Sequence, residues 1–316
     1  MVIDLTAISL TPAARDWLTQ TKSARVLNIF DRACNLINQD NAILALVTSE
    51  RGLTPFAMVV VGDSRTPFRV VSAESAVSIR ASQLSVGSLQ IKFANVALWN
   101  PIPDWPALRQ LFADDPSRLD WLAVAAQENL VEGSLLDLYP SLSPNPSPPG
   151  RGAGVRDAML ERARRGATEL VQGLLVGSSS QCLIGVKALA GLGGGLTPAG
   201  DDFIVGAMFA MWAGLYGPGT ESFCDPIVNA AAPLTTTLSA AYLRAAARGE
   251  CIAHWHAVLD ALLRSDEAAL KSATLALTSI GHTSGADSLA GFLAPNFLKA
   301  QSDSSNGILI HQGGEP

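Results

Sequence analysis

The chain has 316 residues and a formal charge of −6, and it is 48% hydrophobic but only 16% charged and 6% aromatic. That balance excludes a disordered chain and leaves no basic footprint for nucleic acid or an anionic membrane surface. The longest apolar run, Phe203 to Tyr216, is about 14 residues against the roughly 20 a membrane span needs, so no bilayer crossing is expected.

The N-terminus lacks the basic region of a signal peptide, and a cytoplasmic protein is expected. Cys34, Cys182, Cys224 and Cys251 form no CxxC pair and read as buried free thiols.

In chain order, the first third reads as strands. Ala42 to Thr48, Phe56 to Gly62, Phe68 to Ser72 and Leu89 to Leu98 are short runs rich in Val, Ile and Phe, separated by turn formers such as Gly62-Asp63-Ser64. Asn100-Pro101-Ile102-Pro103 ends this sheet or small barrel, because proline donates nothing to a ladder. Leu108 to Leu138 carries apolar residues at helical spacing.

Residues 143–154 hold four prolines in twelve residues with no apolar anchor, the composition of a linker or insertion. Helical patterns then follow at Asp157 to Leu175, Phe203 to Leu215, Thr236 to Ala247, Ala253 to Arg264 and Glu267 to Ile280, before a polar tail. The expected fold class is α+β: a β-rich, barrel-like domain with a trailing helix (1–142), the proline-rich linker (143–154), a mainly α-helical domain (155–300) and a flexible tail (301–316).

Two segments of the helical half carry the chemistry. Gly191-Leu-Gly-Gly-Gly-Leu-Thr-Pro-Ala-Gly-Asp-Asp202 is a glycine loop leading into a helix, with Thr197 as candidate N-cap and Pro198 as first helical residue. Free backbone N–H groups and the positive end of the helix dipole there suit a phosphate or carboxylate. The segment lacks a P-loop lysine and the spacing of a dinucleotide fingerprint.

Asp201 and Asp202 in the first turn read either as catalytic, ligand-binding or cation-binding groups or as plain partners of the helix dipole. The second segment, Gly281-His-Thr-Ser-Gly-Ala-Asp287, repeats a Gly-x-Thr-x-x-x-Asp pattern: Gly195, Thr197, Asp201 and again Gly281, Thr283, Asp287. His282 is the best-placed histidine for proton transfer, or an ordinary residue at a helix start. His254 and His256 fall two apart in a helical run, which does not converge them on a metal. Thr236, Ser239 and Arg244 either add donors for an anionic substrate or are plain helix residues.

GLGGGLTPAGDDFIVG (191–206), TTTLSAAYLRAAARG (235–249) and IGHTSGADSLAGF (280–292), in that order, resemble the AllH-type subunit of oxamate carbamoyltransferase, with a weaker likeness through RACNLINQDNAILALV (32–47). The resemblance implies conversion of oxalurate and phosphate to oxamate and carbamoyl phosphate in anaerobic allantoin and purine breakdown. It also implies two partner subunits, an FdrA-like protein (AllF) and an AllG-type protein.

In that reaction Gly193, Gly194, Gly195 and Thr197 are expected to hold phosphate or carboxylate. Thr283, Ser284, Gly285, Arg244, Thr236 and Ser239 would bind and orient substrate. Asp201, Asp202 and Asp287 would orient donors or hold a divalent cation such as Mg, with His282 as the proton carrier. The Ser-Thr-Arg-Thr and His-Pro-x-Gln motifs of aspartate and ornithine carbamoyltransferases are absent. Two further readings stay open: a non-catalytic substrate-binding or scaffolding subunit, and carbamoyl transfer to a different small acid.

Overall fold

The computed structural model describes residues 2–139 and 153–309, with side chains from 2 to 139 and 158 to 296. Most of the expected linker at 143–154 and the last part of the expected tail lie outside the described residues. The chain divides into two units: residues 1–103 with 250–256, and 104–249 with 257–316. The sequence reading extends the first domain to residue 142, whereas the contacts group everything from Asp104 to Gly249 with the helices.

The first unit is a mixed sheet. Its strands are β1 (Ile3–Leu10), β2 (Ala24–Ile29), β3 (Ala33–Asn38), β4 (Ile43–Thr48), β5 (Ala57–Val61), β6 (Val77–Arg80), β7 (Gln83–Val86), β8 (Leu89–Lys92) and β9 (Ala97–Leu98). They are ordered β2-β3-β4-β5-β1-β8-β7-β6, with β9 beside β1. β1 pairs antiparallel with β5 and parallel with β8 and β9.

The outermost strands β2 and β6 touch, so the sheet curls into a nearly closed barrel around Leu5, Leu36, Leu44, Leu46, Met58 and Leu84. Closure removes the exposed strand edges that invite aggregation. The helix α1 (Pro12–Gln20) is capped by Thr11, whose hydroxyl accepts from the Ala14 N–H at 3.2 Å, and Trp17 Nε1 donates to the Ala42 carbonyl at 2.9 Å. The returning segment joins this unit through the Cys251 N–H on the Pro101 carbonyl (2.8 Å) and the His256 ring against Trp99 (4.9 Å between centroids).

Two strand expectations are corrected. Phe68 to Ser72 contains no strand; Pro67–Val70 is a 3-10 turn, started by proline's fixed φ. Leu89 to Leu98 breaks into β8 and β9, and its second part pairs with β1 instead of continuing the β7 ladder.

The second unit is helical. It contains α2 (Trp105–Asp114), α3 (Arg118–Glu128), α4 (Ala153–Val176), α5 (Ser179–Leu189), α6 (Ala199–Trp212), α7 (Cys224–Ala231), α8 (Thr237–Ala247), α10 (Glu267–Thr278) and α11 (Ser284–Leu309), while α9 (Ala253–Leu263) starts in the first unit and ends in this one. The helical spacing over 108–138, in which Asp115-Pro116 is expected as a helix entry, resolves into α2 before that pair and α3 after it, with a 3-10 turn at Leu135–Leu138. The tail expected to be flexible from 301 continues α11 as far as Leu309.

α6 forms the spine, burying Phe203, Ile204, Met208, Phe209 and Met211 at about 2 kcal/mol each. It crosses α11 at two glycines. A Cβ on Gly206 would stand 1.8 Å from the Ser288 carbonyl oxygen, and one on Gly291 would stand 2.0 Å from that of Phe203. Any side chain at either position forces the backbones apart. All four cysteines are free and buried, and no helix among the described residues is long and apolar enough to cross a membrane.

Candidate functional site

α5 ends into the glycine loop. Gly191 takes φ +69°, a left-handed conformation that glycine adopts without strain, and so turns its N–H onto Asp201 Oδ1 at 2.9 Å. Asp201 is fully buried. Its Oδ2 accepts from the Ser239 hydroxyl at 2.8 Å and, in a short bond, from the Thr235 hydroxyl.

Thr236 caps α8 by accepting from the Ser239 N–H at 3.0 Å, and its hydroxyl also donates to the Leu196 carbonyl. Asp201 therefore ties the loop to the start of α8, with both of its oxygens engaged by protein donors. Gly193, Gly194 and Gly195 between these anchors are exposed, and a Cβ on Gly194 or Gly195 would meet nothing within 4 Å.

Beside this anchor sits a second acid with the opposite character. Asp202 Oδ2 is buried without a hydrogen-bond partner, and so is Oδ2 of Asp287, a fully buried residue whose Oδ1 accepts from the Leu135 N–H at 2.6 Å. Between the two helix starts the hydroxyls of Thr197 and Ser284 meet at 2.9 Å.

Burial holds the Asp202 carboxyl well above the usual carboxylate range. The Asp287 and Asp201 charges push it the same way, and the Ser284 and Thr197 hydroxyls only partly offset this. Burial raises Asp287 to about 7, helped by Asp137 and opposed by the Leu135 N–H and the Thr283 hydroxyl. Both shifts favour the protonated form of these acids, which can donate a hydrogen bond.

The two helix starts are copies in space. The offset that carries Phe203 to Ser288 also carries Gly206 to Gly291, and the close approaches at the crossing are reciprocal: Gly206 on the Ser288 carbonyl, Gly291 on that of Phe203. The same offset carries Gly200 to Gly285. Each sits against a carbonyl at the end of the preceding helix, with a Cβ on Gly200 2.1 Å from the Leu189 oxygen and one on Gly285 1.8 Å from the Leu277 oxygen. It also carries Asp202 to Asp287. Thus α6 and α11 start and cross in equivalent ways, and the two acids that each keep one buried oxygen without a partner occupy equivalent positions.

Two family models match this chain: the oxamate carbamoyltransferase subunit AllH over residues 189–295, and the AllH family N-terminal domain over residues 6–98. Together they take in most of the barrel and the starts of both α6 and α11. The chain belongs to the AllH family. No solved structure matches the chain. The AllH model covers every polar side chain described above except Asp137, and it also omits the Leu135 N–H.

In this AllH-family chain Asp201, Asp202, Asp287, Thr197, Ser284, Thr235, Thr236 and Ser239 are brought together. The expected cap at Thr197 is corrected: α6 starts at Ala199 with Pro198 in the capping position, and Thr197, one residue further out, bonds to Ser284 instead. Thr283 directly precedes α11, and its carbonyl accepts the Asp287 N–H at 2.8 Å. Gly285 is buried and serves helix packing. His282 is exposed just before α11. Arg244 is exposed in the last turn of α8, about 12 Å along the helix axis from Thr236, and is not part of the cluster.

Sequence reasoning missed Thr235, which stood in the noted TTT run without being distinguished from Thr236. It also missed the Leu135 N–H, a backbone donor from a distant segment that no motif announces. The described residues gather no group of three or more His, Cys, Asp or Glu side chains able to hold a metal ion. Asp201 has both oxygens engaged, so the expected three-carboxylate cation site does not fit and no step below passes through a cation.

Proposed function

We propose that the chain is the AllH-type subunit of an oxamate carbamoyltransferase that interconverts oxalurate plus phosphate with oxamate plus carbamoyl phosphate, and that its reactants bind at the paired starts of α6 and α11. A phosphate oxygen attacks the ureido carbonyl carbon of oxalurate, the C–N bond to the oxamate half breaks, and the proton shed by hydrogen phosphate ends on the oxamate nitrogen. Such a step requires donors for a developing oxyanion and a seat for each anion.

The observation that carries this reading is the exposed Gly193–Gly195 loop at a helix start, next to the Thr197–Ser284 hydroxyl pair and the Asp202 acid, whose Oδ2 is buried without a partner. The loop N–H groups seat phosphate or carboxylate. The hydroxyls and the Asp202 acid proton face the carbonyl oxygen, a use of a buried neutral carboxylic acid that pKa tuning makes available at pH 7. Thr283 steadies Asp287, and exposed His282 relays the proton at the rim.

A second reading, in which this subunit binds and a partner completes the chemistry, is favoured by charge. Among the described residues no cation acts on Asp202 or Asp287, while the substrates are anions. The cationic group would then come from the FdrA-like (AllF) or AllG-type subunit, placed over Leu196 and Leu234, exposed apolar side chains flanking the loop. Carbamoyl transfer to a different small acid would use the same seat. The proposed setting is the cytoplasm.

A coupled assay for carbamoyl phosphate formed from oxalurate and phosphate tests the proposal, with this chain alone and with both partners present. Activity is expected only in the assembled complex and is expected to fall at least about a hundredfold for Asp202→Ala. Full activity of the complex with that variant would overturn the proposal.

A further inference from the structure

We infer that Asp202 and Asp287 form an acid pair that grips the uncharged carbamoyl group (–CO–NH2) of the substrate, leaving its anionic end to the glycine loop. This inference rests on the reading above and assigns the two ends of the substrate to different parts of the site.

Three observations carry it. First, each acid has one buried oxygen, Oδ2, with no partner, and a buried polar atom left unsatisfied is costly unless something binds it. Second, the acids hold equivalent positions on the crossing helices α6 and α11, the Asp287 charge acts on Asp202, and the Thr197 and Ser284 hydroxyls that bridge the two helix starts at 2.9 Å both act on Asp202. Third, among the described residues no cation acts on either acid. An anion placed there is buried without a described cation to neutralise it.

A neutral group carrying both a donor and an acceptor meets no such penalty. The Asp202 O–H donates to the carbonyl oxygen of –CO–NH2, and the amide N–H donates to Asp287 Oδ2. Asp201 takes no part, since its oxygens already hold the loop and α8 together.

The test compares oxamate, a short probe whose –CO–NH2 group stands in for the ureido –CO–NH2 of oxalurate, with oxalate, which puts a carboxylate where oxamate has its amide. Both are titrated calorimetrically into the full chain assembled with its partner subunits. Oxamate is expected to bind at least about tenfold tighter than oxalate. Asp202→Ala is expected to bring the two within about twofold of each other, and Asp202→Asn, an uncharged side chain that still donates and accepts, to keep most of the preference.

Thermal melting of both variants confirms that the comparison is made on folded protein. Equal binding of the two ligands by the wild type, or a preference that survives Asp202→Ala, overturns the inference and leaves the proposed function standing. Failure of the complex to bind either ligand overturns the proposed function itself, and the inference with it.

Discussion

At the first glycine-led helix start, Asp201 lies four residues after Thr197 and is saturated by Gly191, Thr235 and Ser239. At the second, Asp287 lies four residues after Thr283 and keeps a buried oxygen with no partner. Spacing from the threonine equates these two acids, but position in the helix does not. α6 begins at Ala199 and α11 at Ser284, so Asp202 and Asp287 share the fourth helical position, and the crossing glycines confirm that alignment. What this teaches is that a repeated motif is aligned by what its backbone packs against, and that adjacent acids can have opposite roles: Asp201 anchors, Asp202 is free to act.

Four predictions sharpen that contrast. The largest effect belongs to the crossing. Gly206→Val or Gly291→Val is expected to cost more than about 4 kcal/mol or to prevent folding, with nearly equal penalties because the contacts are reciprocal, as measured by urea unfolding. Clearly unequal penalties would break the two-copy description.

Next is pH. The Asp287 carboxyl is raised in the folded state, so its contribution to stability is fully present below about pH 4 and is lost as pH climbs through about 7. The acids that face it are Asp137 and Asp202, and the loss is on the order of 4 kcal/mol at most. Asp287→Asn, which still accepts from Leu135, should flatten the pH dependence of the melting temperature over that window. A slope unchanged by the substitution contradicts the assignment.

Third, Asp201→Ala strands three donors and is expected to cost about 3 kcal/mol, whereas Asp202→Asn costs less than about 1 kcal/mol because it swaps one uncharged hydrogen-bonding group for another. Comparable losses in chemical unfolding would dissolve the distinction between anchor and acting acid. The smallest effect is at Gly194, where an added methyl meets nothing within 4 Å: Gly194→Ala should change stability by less than about 0.5 kcal/mol. A larger loss would show that the loop is packed instead of open.

Much of the fold was legible in the sequence. The Val- and Ile-rich runs at Ala42 to Thr48 and Phe56 to Gly62 match β4 and β5, and the helical second half follows its 3.6-residue periodicity. β1 carries a weak signal because the buried alternation of Leu5 and Ala7 is broken by a register shift between Ala7 and Ser9, which puts Leu10 out of step. β6 and β7 are four residues each, too short for a periodic signal.

At the site, the glycines, hydroxyls and acids were all visible. The correct pairing of the acids was not, because it depends on Gly206 and Gly291, which in a sequence look like ordinary glycines inside helices. The Leu135 donor was invisible because a backbone N–H carries no residue signature.

The central claim is that burial raises the Asp202 and Asp287 carboxyls together, above the range of exposed aspartates. It is tested most directly by following their side-chain carboxyl resonances by 13C NMR from pH 3 to 9, assigned with Asp202→Asn and Asp287→Asn. The expectation is that Asp287 titrates near 7 and that Asp202 titrates well above the usual carboxylate range. Titration of both near pH 4, as for exposed aspartates, would contradict it.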